Sequence, residues 1–457
     1  MARPFVHEIR YLAVLAAPLV LAQMAQMSMG FVDTLMVGRL GQAELAGIAL
    51  GSTVFFFVLT VFMGVVLAVG PMVAQAQGAD DRAAVGRAVR QGLWLSLGLS
   101  VLAVALFWQA SPLLAALGQE RDTVARAAAY LKAMAWGFPA AIGFTVLRSF
   151  LEGIARPKAI MVIAFFGVGL NILANHALMF GRWGFPELGL VGTGYASAIV
   201  YWTMFALGVF YIQLRLSSWR LFATLRRPDP ATMREIVAIG LPIGLTLGFE
   251  TGLFSATALL MGLLGQVPLA AHQIAIQTAA FTFMIPLGMS IAISVRVGQA
   301  AGRRDLAAVR RSAAVGIALS LAVMVATALA FWLAPRPIVG LYLDLNDPAN
   351  LEVAALAVTF LGFAAMFQLF DGLQVSALGA LRGLKDTRWP MVITLFAYWF
   401  VGLGSGVVLA FGLELGGRGL WLGLVLGLAA AGVLLLARLR WRTTSRGHLL
   451  ARPVASD

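Results

Sequence analysis

Between Ile236 and Val295 the chain carries one formal charge, Glu250. A run of that length cannot cover a water-exposed surface, and it holds two of the ~20-residue helices that cross a bilayer core. The same apolar density recurs throughout. Of 457 residues, 61% are hydrophobic and 12% charged, a balance that excludes an ordinary soluble globular protein. We read an all-α polytopic membrane protein. Its spans lie near 11–38, 45–77, 91–115, 127–150, 158–181, 189–214, 236–262, 269–298, 313–334, 353–380, 389–411 and 419–437. The N-terminal stretch has no small-residue cleavage site and runs on without a break, so it reads as a retained first span rather than a signal peptide.

Twelve spans put both termini on one side, and the basic residues say which. Seven Lys/Arg lie on one side of the expected topology: Arg39, Arg121, Arg126, Lys132, Arg182, Arg336 and Arg418. The remaining 26 of the 33 lie on the other, with the termini. Cytoplasmic loops carry the excess of Lys and Arg, so both termini are expected in the cytoplasm of a prokaryotic cell, with the chain in its plasma or inner membrane. The net charge of +13 therefore reports orientation and not nucleic acid. With no Cys, disulfides and thiolate metal sites are excluded.

The chain also contains itself twice. "GQAELAGIAL" at 41 resembles "GQVPLAAHQI" at 265, and "VAQAQGADDRAAVGRAVRQG" at 73 resembles "VGQAAGRRDLAAVRRSAAVG" at 297. Pro18 pairs with Pro242, and "FW" at 107 with "FW" at 331, all at an offset of 224. After a six-residue slip, "FLEGIARPKAIM" at 150 matches "ALRGLKDTRWPM" at 380. A six-span unit returns to its starting side, so the repeats are parallel and related by a pseudo-two-fold along the membrane normal, as in secondary transporters. The expected organisation is an N-terminal lobe at 1–214, a cytoplasmic linker at 215–235 and a C-terminal lobe at 236–457.

The deep carboxylates break this symmetry. Glu250 aligns with Gln26, Asp33 with Thr257, and Asp371 with Ala141. A requirement of the fold alone should appear in both copies. Ionisable groups at such depth are costly and mark functional sites by default. Counted from the same membrane side, Glu250 and Asp371 lie at ~18 Å and ~15 Å by helical rise, so we expect them to share a proton or cation. In the other half, Asn171 and Asn175 are one turn apart on span five and group with Asp33. Pro18 is the expected bend in the first span. Met29 and Met36 on that span, with Phe367, are candidate cavity residues, because pliable side chains suit varied ligands. Glu152 and Arg156 read as a simple surface pair at a span end. His176 reads as a helix–helix hydrogen bond. No nucleotide, zinc-protease or serine-hydrolase motif is present.

Taken jointly, "FVDTLMVGRLG", "GPMVAQAQGADDRAAVGRAVRQG", "GFETGLF", "LAAHQIAIQ" and "FDGLQVSALGALRGLKD" resemble the multidrug and toxic compound extrusion (MATE) family, and its NorM-type branch most closely. The similarity covers residues 10–440. It implies a V-shaped pair of six-helix lobes that exports cationic, amphipathic compounds in exchange for H⁺ or Na⁺. It implies cation-site roles for Glu250 and Asp371 in one lobe, and for Asp33, Asn171 and Asn175 in the other. Two residues depart from the pattern. Phe367 stands where NorM-type members can carry a tyrosine, and Asn175 stands where some archaeal and DinF-type members have an aspartate. With so few oxygens near Glu250 and Asp371, a proton is favoured over Na⁺, which wants several oxygen ligands. The expected partners are small-molecule cations and the lipid bilayer, for a monomer without cofactor or any metal beyond Na⁺. The alternative is a flippase for lipid-linked precursors, which would line its cavity with arginines.

Overall fold

The computed structural model describes residues 2–116, 118, 120–222 and 228–444. In its first half the helices are α1 (Ala2–Val37), α2 (Gln42–Leu67), α3 (Val69–Gly78), α4 (Arg82–Trp108), α5 (Ala110–Ala116), α6 (Arg121–Ala135), α7 (Phe138–Gly153), α8 (Lys158–Met179) and α9 (Gly189–Arg215). In its second half they are α10 (Pro230–Leu263), α11 (Gln266–Gly302), α12 (Leu306–Leu333), α13 (Pro335–Val339), α14 (Leu351–Gly383), α15 (Arg388–Leu395), α16 (Ser405–Val407) and α17 (Gly416–Thr443). The backbone widens to π-helical winding over Phe396–Gly404 and Val408–Gly412, so that Arg388–Gly412 forms one span.

Among the described residues, eleven helices are long and apolar enough to cross a membrane. The pair α6 and α7, bent by 50°, makes the twelfth when counted as one. That break falls where Gly137 precedes the Pro139 of the first turn of α7. A proline there removes a backbone donor and clashes with the preceding turn. Helices also outrun the apolar runs that announced them. The third span was expected from residue 91, yet α4 starts at Arg82, where the Asp81 carboxylate accepts from the Ala84 amide at 2.8 Å. Apolarity marks the hydrocarbon, whereas the cap marks the helix.

The chain forms two compact units, residues 21–244 and residues 1–20 with 245–457. The cuts fall inside α1 and α10, two residues after Pro18 and Pro242, and lie the repeat offset of 224 apart. The first twenty residues are held in their unit by a buried ion pair. Arg296 donates from Nε and a terminal nitrogen to the two Glu8 oxygens at 2.9 and 2.7 Å, and Ser312 adds 2.8 Å. Close backbone approach helps, since a Cβ on Gly288 would stand 2.7 Å from the Val20 nitrogen.

The repeat is visible turn by turn. Gly41 and Gly265 have φ of 123° and 121°, Asp80 and Arg304 have 57° and 58°, and Ala155 and Lys385 have 58° and 56°. Asp305 caps α12 as Asp81 caps α4, accepting from Ala308 at 2.9 Å. At the start of α10, Asp229 accepts from the Thr232 hydroxyl at 2.7 Å, and that bond holds its carboxyl below the usual range.

Within the second unit, glycine lets α17 lie against the widened span. A Cβ on Gly423 would meet Gly406 Cα at 2.4 Å and the Gly402 carbonyl at 2.6 Å. Both neighbours are backbone and cannot rotate away. We therefore expect Gly423→Val to destabilise the protein by about 2–3 kcal/mol. Gly98→Val, with nothing within 4 Å of its Cβ, should be neutral. Melting temperatures in detergent check the pair.

Candidate functional site

In the unit of residues 21–244 a cavity of about 300 Å³ opens among α1, α2, α6, α7, α8 and α9. Five methionines line it (Met27, Met29, Met63, Met134 and Met204), with Phe56 and Phe144. Asp33 supplies its carboxylate. Asn171 and Asn175 donate from Nδ2 to Asp33 Oδ1 at 3.0 and 2.6 Å, and Ser197 donates to Oδ2 at 3.4 Å. With their amide nitrogens turned to the carboxylate, both asparagines leave a buried Oδ1 without a partner among the described residues. One carboxylate and two free carbonyls make an acceptor-rich corner suited to a positive charge. The structure thus brings Asp33, Asn171 and Asn175 together, and Met29 joins them on the wall. Met36, two turns beyond Met29 on α1, is not among the lining residues. Pro18 is buried within α1, in the other unit. His176 is exposed, its ring 5.3 Å from that of Trp183, so the expected interhelical hydrogen bond gives way to ring packing.

The second constellation lies in the unit that contains residues 245–457. Asp371 is 4% exposed on α14. Gln374, one turn on, donates from Nε2 to Asp371 Oδ1 at 3.0 Å, and the Tyr398 hydroxyl donates to Gln374 Oε1 at 3.0 Å. Gln374 and Tyr398 are fully buried. Glu250, on α10, interacts electrostatically with Asp371 and also with Arg382 at the end of α14. Phe367 is buried one turn before Asp371, its ring 5.9 Å from Trp421 and 6.0 Å from Phe254. Sequence reasoning had named Glu250, Asp371 and Phe367. It missed Gln374, Tyr398 and the counter-charge of Arg382. The spacing Gln368, Asp371, Gln374, a polar stripe every third residue of an apolar helix, was the available signal.

A third cluster was misread. Glu152 does not form a surface pair with Arg156. It is 4% exposed and accepts from Arg148 Nε at 2.7 Å, while Arg156 is exposed. The terminal nitrogens of Arg148 reach α1, one donating to Gln26 Oε1 at 2.6 Å and the other to Gln23. A buried guanidinium needs several acceptors, and Glu152 alone offers too few. Among the described residues, no three His, Cys, Asp or Glu side chains gather as a metal cluster.

A family model described as MatE matches residues 18–176 and again 242–408. The chain belongs to the MatE family. The two matches begin at Pro18 and Pro242, which is the internal repeat seen from outside, and MatE proteins are membrane transporters rather than enzymes. Two curated relatives extend the match over 95% of the chain or more, each described as "Probable multidrug resistance protein NorM". The one from Pseudomonas aeruginosa is 41% identical over 100% of this chain and 93% of its own length. The one from Deinococcus radiodurans is 44% identical over 95% and 96%. Among solved structures, an outward-facing multidrug resistance MATE family transporter of the MOP superfamily aligns with a TM-score of 0.87. It is 19% identical over 95% of this chain and 96% of that one. A eukaryotic MATE transporter aligns at 0.83, 20% identical over 97% and 98%. Those likenesses bear on the fold, and this MatE chain shares it.

Proposed function

We propose that the protein exports amphipathic cationic drugs and toxic compounds from the cell by alternating access, in exchange for a cation taken up at Glu250 and Asp371. The observation that carries this reading is a buried carboxylate, Asp371, with a second, half-buried carboxylate, Glu250, near enough to interact. Two such groups in low dielectric are eased by sharing one positive charge. The coupling ion is the proton. Asp371 is hydrogen-bonded by a donor, Gln374, and Phe367 offers no oxygen, whereas Na⁺ wants several oxygen ligands. Asp33 and its methionine-lined cavity supply what an amphipathic cation needs, a negative charge beside soft apolar walls. The relatives' description as multidrug resistance proteins supports the same class of cargo. The flippase alternative loses ground, since neither Arg nor Lys lines that cavity. Expression in drug-hypersensitive bacteria tests the proposal. The wild type should raise the tolerated ethidium concentration, and no rise at good expression would contradict it.

The working unit is a monomer in the cell membrane, its six-span repeats joined by the linker at 215–235 and both termini cytoplasmic. Support for the orientation comes from the 26-to-7 division of Lys and Arg. Ser217 and Glu414 are both exposed in a chain without cysteine. An impermeant thiol reagent added to intact cells should label Glu414→Cys and spare Ser217→Cys. The reverse pattern would invert the topology.

A further inference from the structure

The polar groups near Asp371 do not stop at the carboxylate. Gln368 lies one turn before it on α14, 2% exposed, and its Oε1 accepts from the Thr282 hydroxyl of α11 at 3.0 Å. Its Nε2 is buried without a partner among the described residues. One turn back on α11, the Thr278 hydroxyl is hydrogen-bonded at 3.1 Å to that of Tyr342, which is 47% exposed in the turn after α13. Gln368 and Asp371 are i,i+3 neighbours, and Thr278 and Thr282 are i,i+4 neighbours. The Cβ atoms of such neighbours stand ~5–6 Å apart, a separation one water can bridge. Hydroxyls and amides therefore run from an exposed tyrosine to the enclosed carboxylate.

The internal repeat shows that the fold does not require them. Thr278 and Thr282 align with Val54 and Val58, and Gln368 and Gln374 align with Phe138 and Phe144. All four aligned positions are apolar in the other copy. Buried polar groups cost stability unless they are satisfied, so a row of them present in one copy only needs a use. We infer that Tyr342, Thr278, Thr282 and Gln368 form a hydrated route by which the coupling cation reaches Asp371. The route admits hydronium, which gives its proton to the Asp371 carboxylate and leaves as water. Gln368 is its innermost station, and its free amide face holds the last water. This rests on the coupling role proposed above for Asp371.

Thr282→Val keeps the shape and removes the hydroxyl. In proteoliposomes it should slow proton-driven ethidium efflux up to about tenfold, the size of one lost hydrogen bond between neutral groups, while ethidium affinity stays unchanged. Thr282→Ser, which restores the hydroxyl, should restore the rate. Because the chain has no cysteine, silver ion supplies a second readout as a bare thiol-reactive cation. It should inhibit Thr282→Cys and Gln368→Cys and leave the wild type active. Full-rate efflux by Thr282→Val, or no silver inhibition of either cysteine variant, overturns the route. Asp371→Asn is assayed in parallel. If it is inactive beside a full-rate Thr282→Val, the route alone fails. If Asp371→Asn itself exports at the wild-type rate, the coupling site fails and the route with it.

Discussion

Glu250→Gln and Asp371→Asn are each expected to reduce coupled efflux below about 1% of the wild-type rate, the loss that follows removal of a group handling the proton. Both substitutions keep size, so the protein should still insert, and Asp371→Asn should melt near the wild-type temperature. The amide at 371 can still accept from Gln374, so the Tyr398–Gln374 chain stays in place. What it cannot do is change charge. Glu250→Gln also leaves Arg382 without its carboxylate partner, and so it should be the less stable of the two. Asp33→Asn removes the charge in the methionine-lined cavity, and should weaken binding of cationic drugs more than that of uncharged ones. Transport rates at matched expression separate these effects. Wild-type drug resistance in both Glu250→Gln and Asp371→Asn would sink the coupling site.

The largest stability effect is expected at Arg148. Replacing it by Leu strands Glu152 in a site where side-chain exposure is 6%, and releases Gln23 and Gln26. Breaking a buried pair by removing one partner costs about 3–5 kcal/mol, because the remaining charge has lost its compensation. Removing both partners is far milder, since apolar replacements of similar volume are often neutral. The double variant Arg148→Leu with Glu152→Leu should therefore melt well above Arg148→Leu alone. Equal melting temperatures for the single and double variants would show that Glu152 is not the group Arg148 compensates.

Much of this molecule was legible in the sequence because the bilayer imposes a simple rule. A segment must be apolar for about twenty residues, so the span pattern can be read directly. The repeat was legible for the same reason that its turns agree in the structure, since Gly41 and Gly265 need one backbone conformation. Lone acids in apolar runs named Glu250, Asp371 and Asp33. What the sequence hid depends on which helices become neighbours. Arg148 went unnoticed because its acceptors, Gln23 and Gln26, lie more than 120 positions away. Tyr398 and Gln374 read as ordinary span residues until α14 and the widened helix meet. The bend between α6 and α7 falls at Pro139, in the middle of the span read as 127–150, where apolarity alone does not reveal a break. Met36 was grouped with Met29 by composition, but seven residues of helix carry it away from the cavity wall.

In the proposed mechanism a proton taken up at Asp371 and Glu250 drives export. A one-for-one exchange of a proton for a monovalent drug moves no net charge. The potential, worth ~2.3 kcal/mol per charge at 100 mV, would then contribute nothing. The pH difference alone could still drive accumulation, at ~1.4 kcal/mol per tenfold. The most direct test is ethidium efflux from Na⁺-free proteoliposomes, with a proton gradient imposed and the potential clamped at zero. Efflux is expected there, and it should be lost in Asp371→Asn. No efflux under those conditions, with activity restored by an inward Na⁺ gradient at uniform pH, would contradict the mechanism.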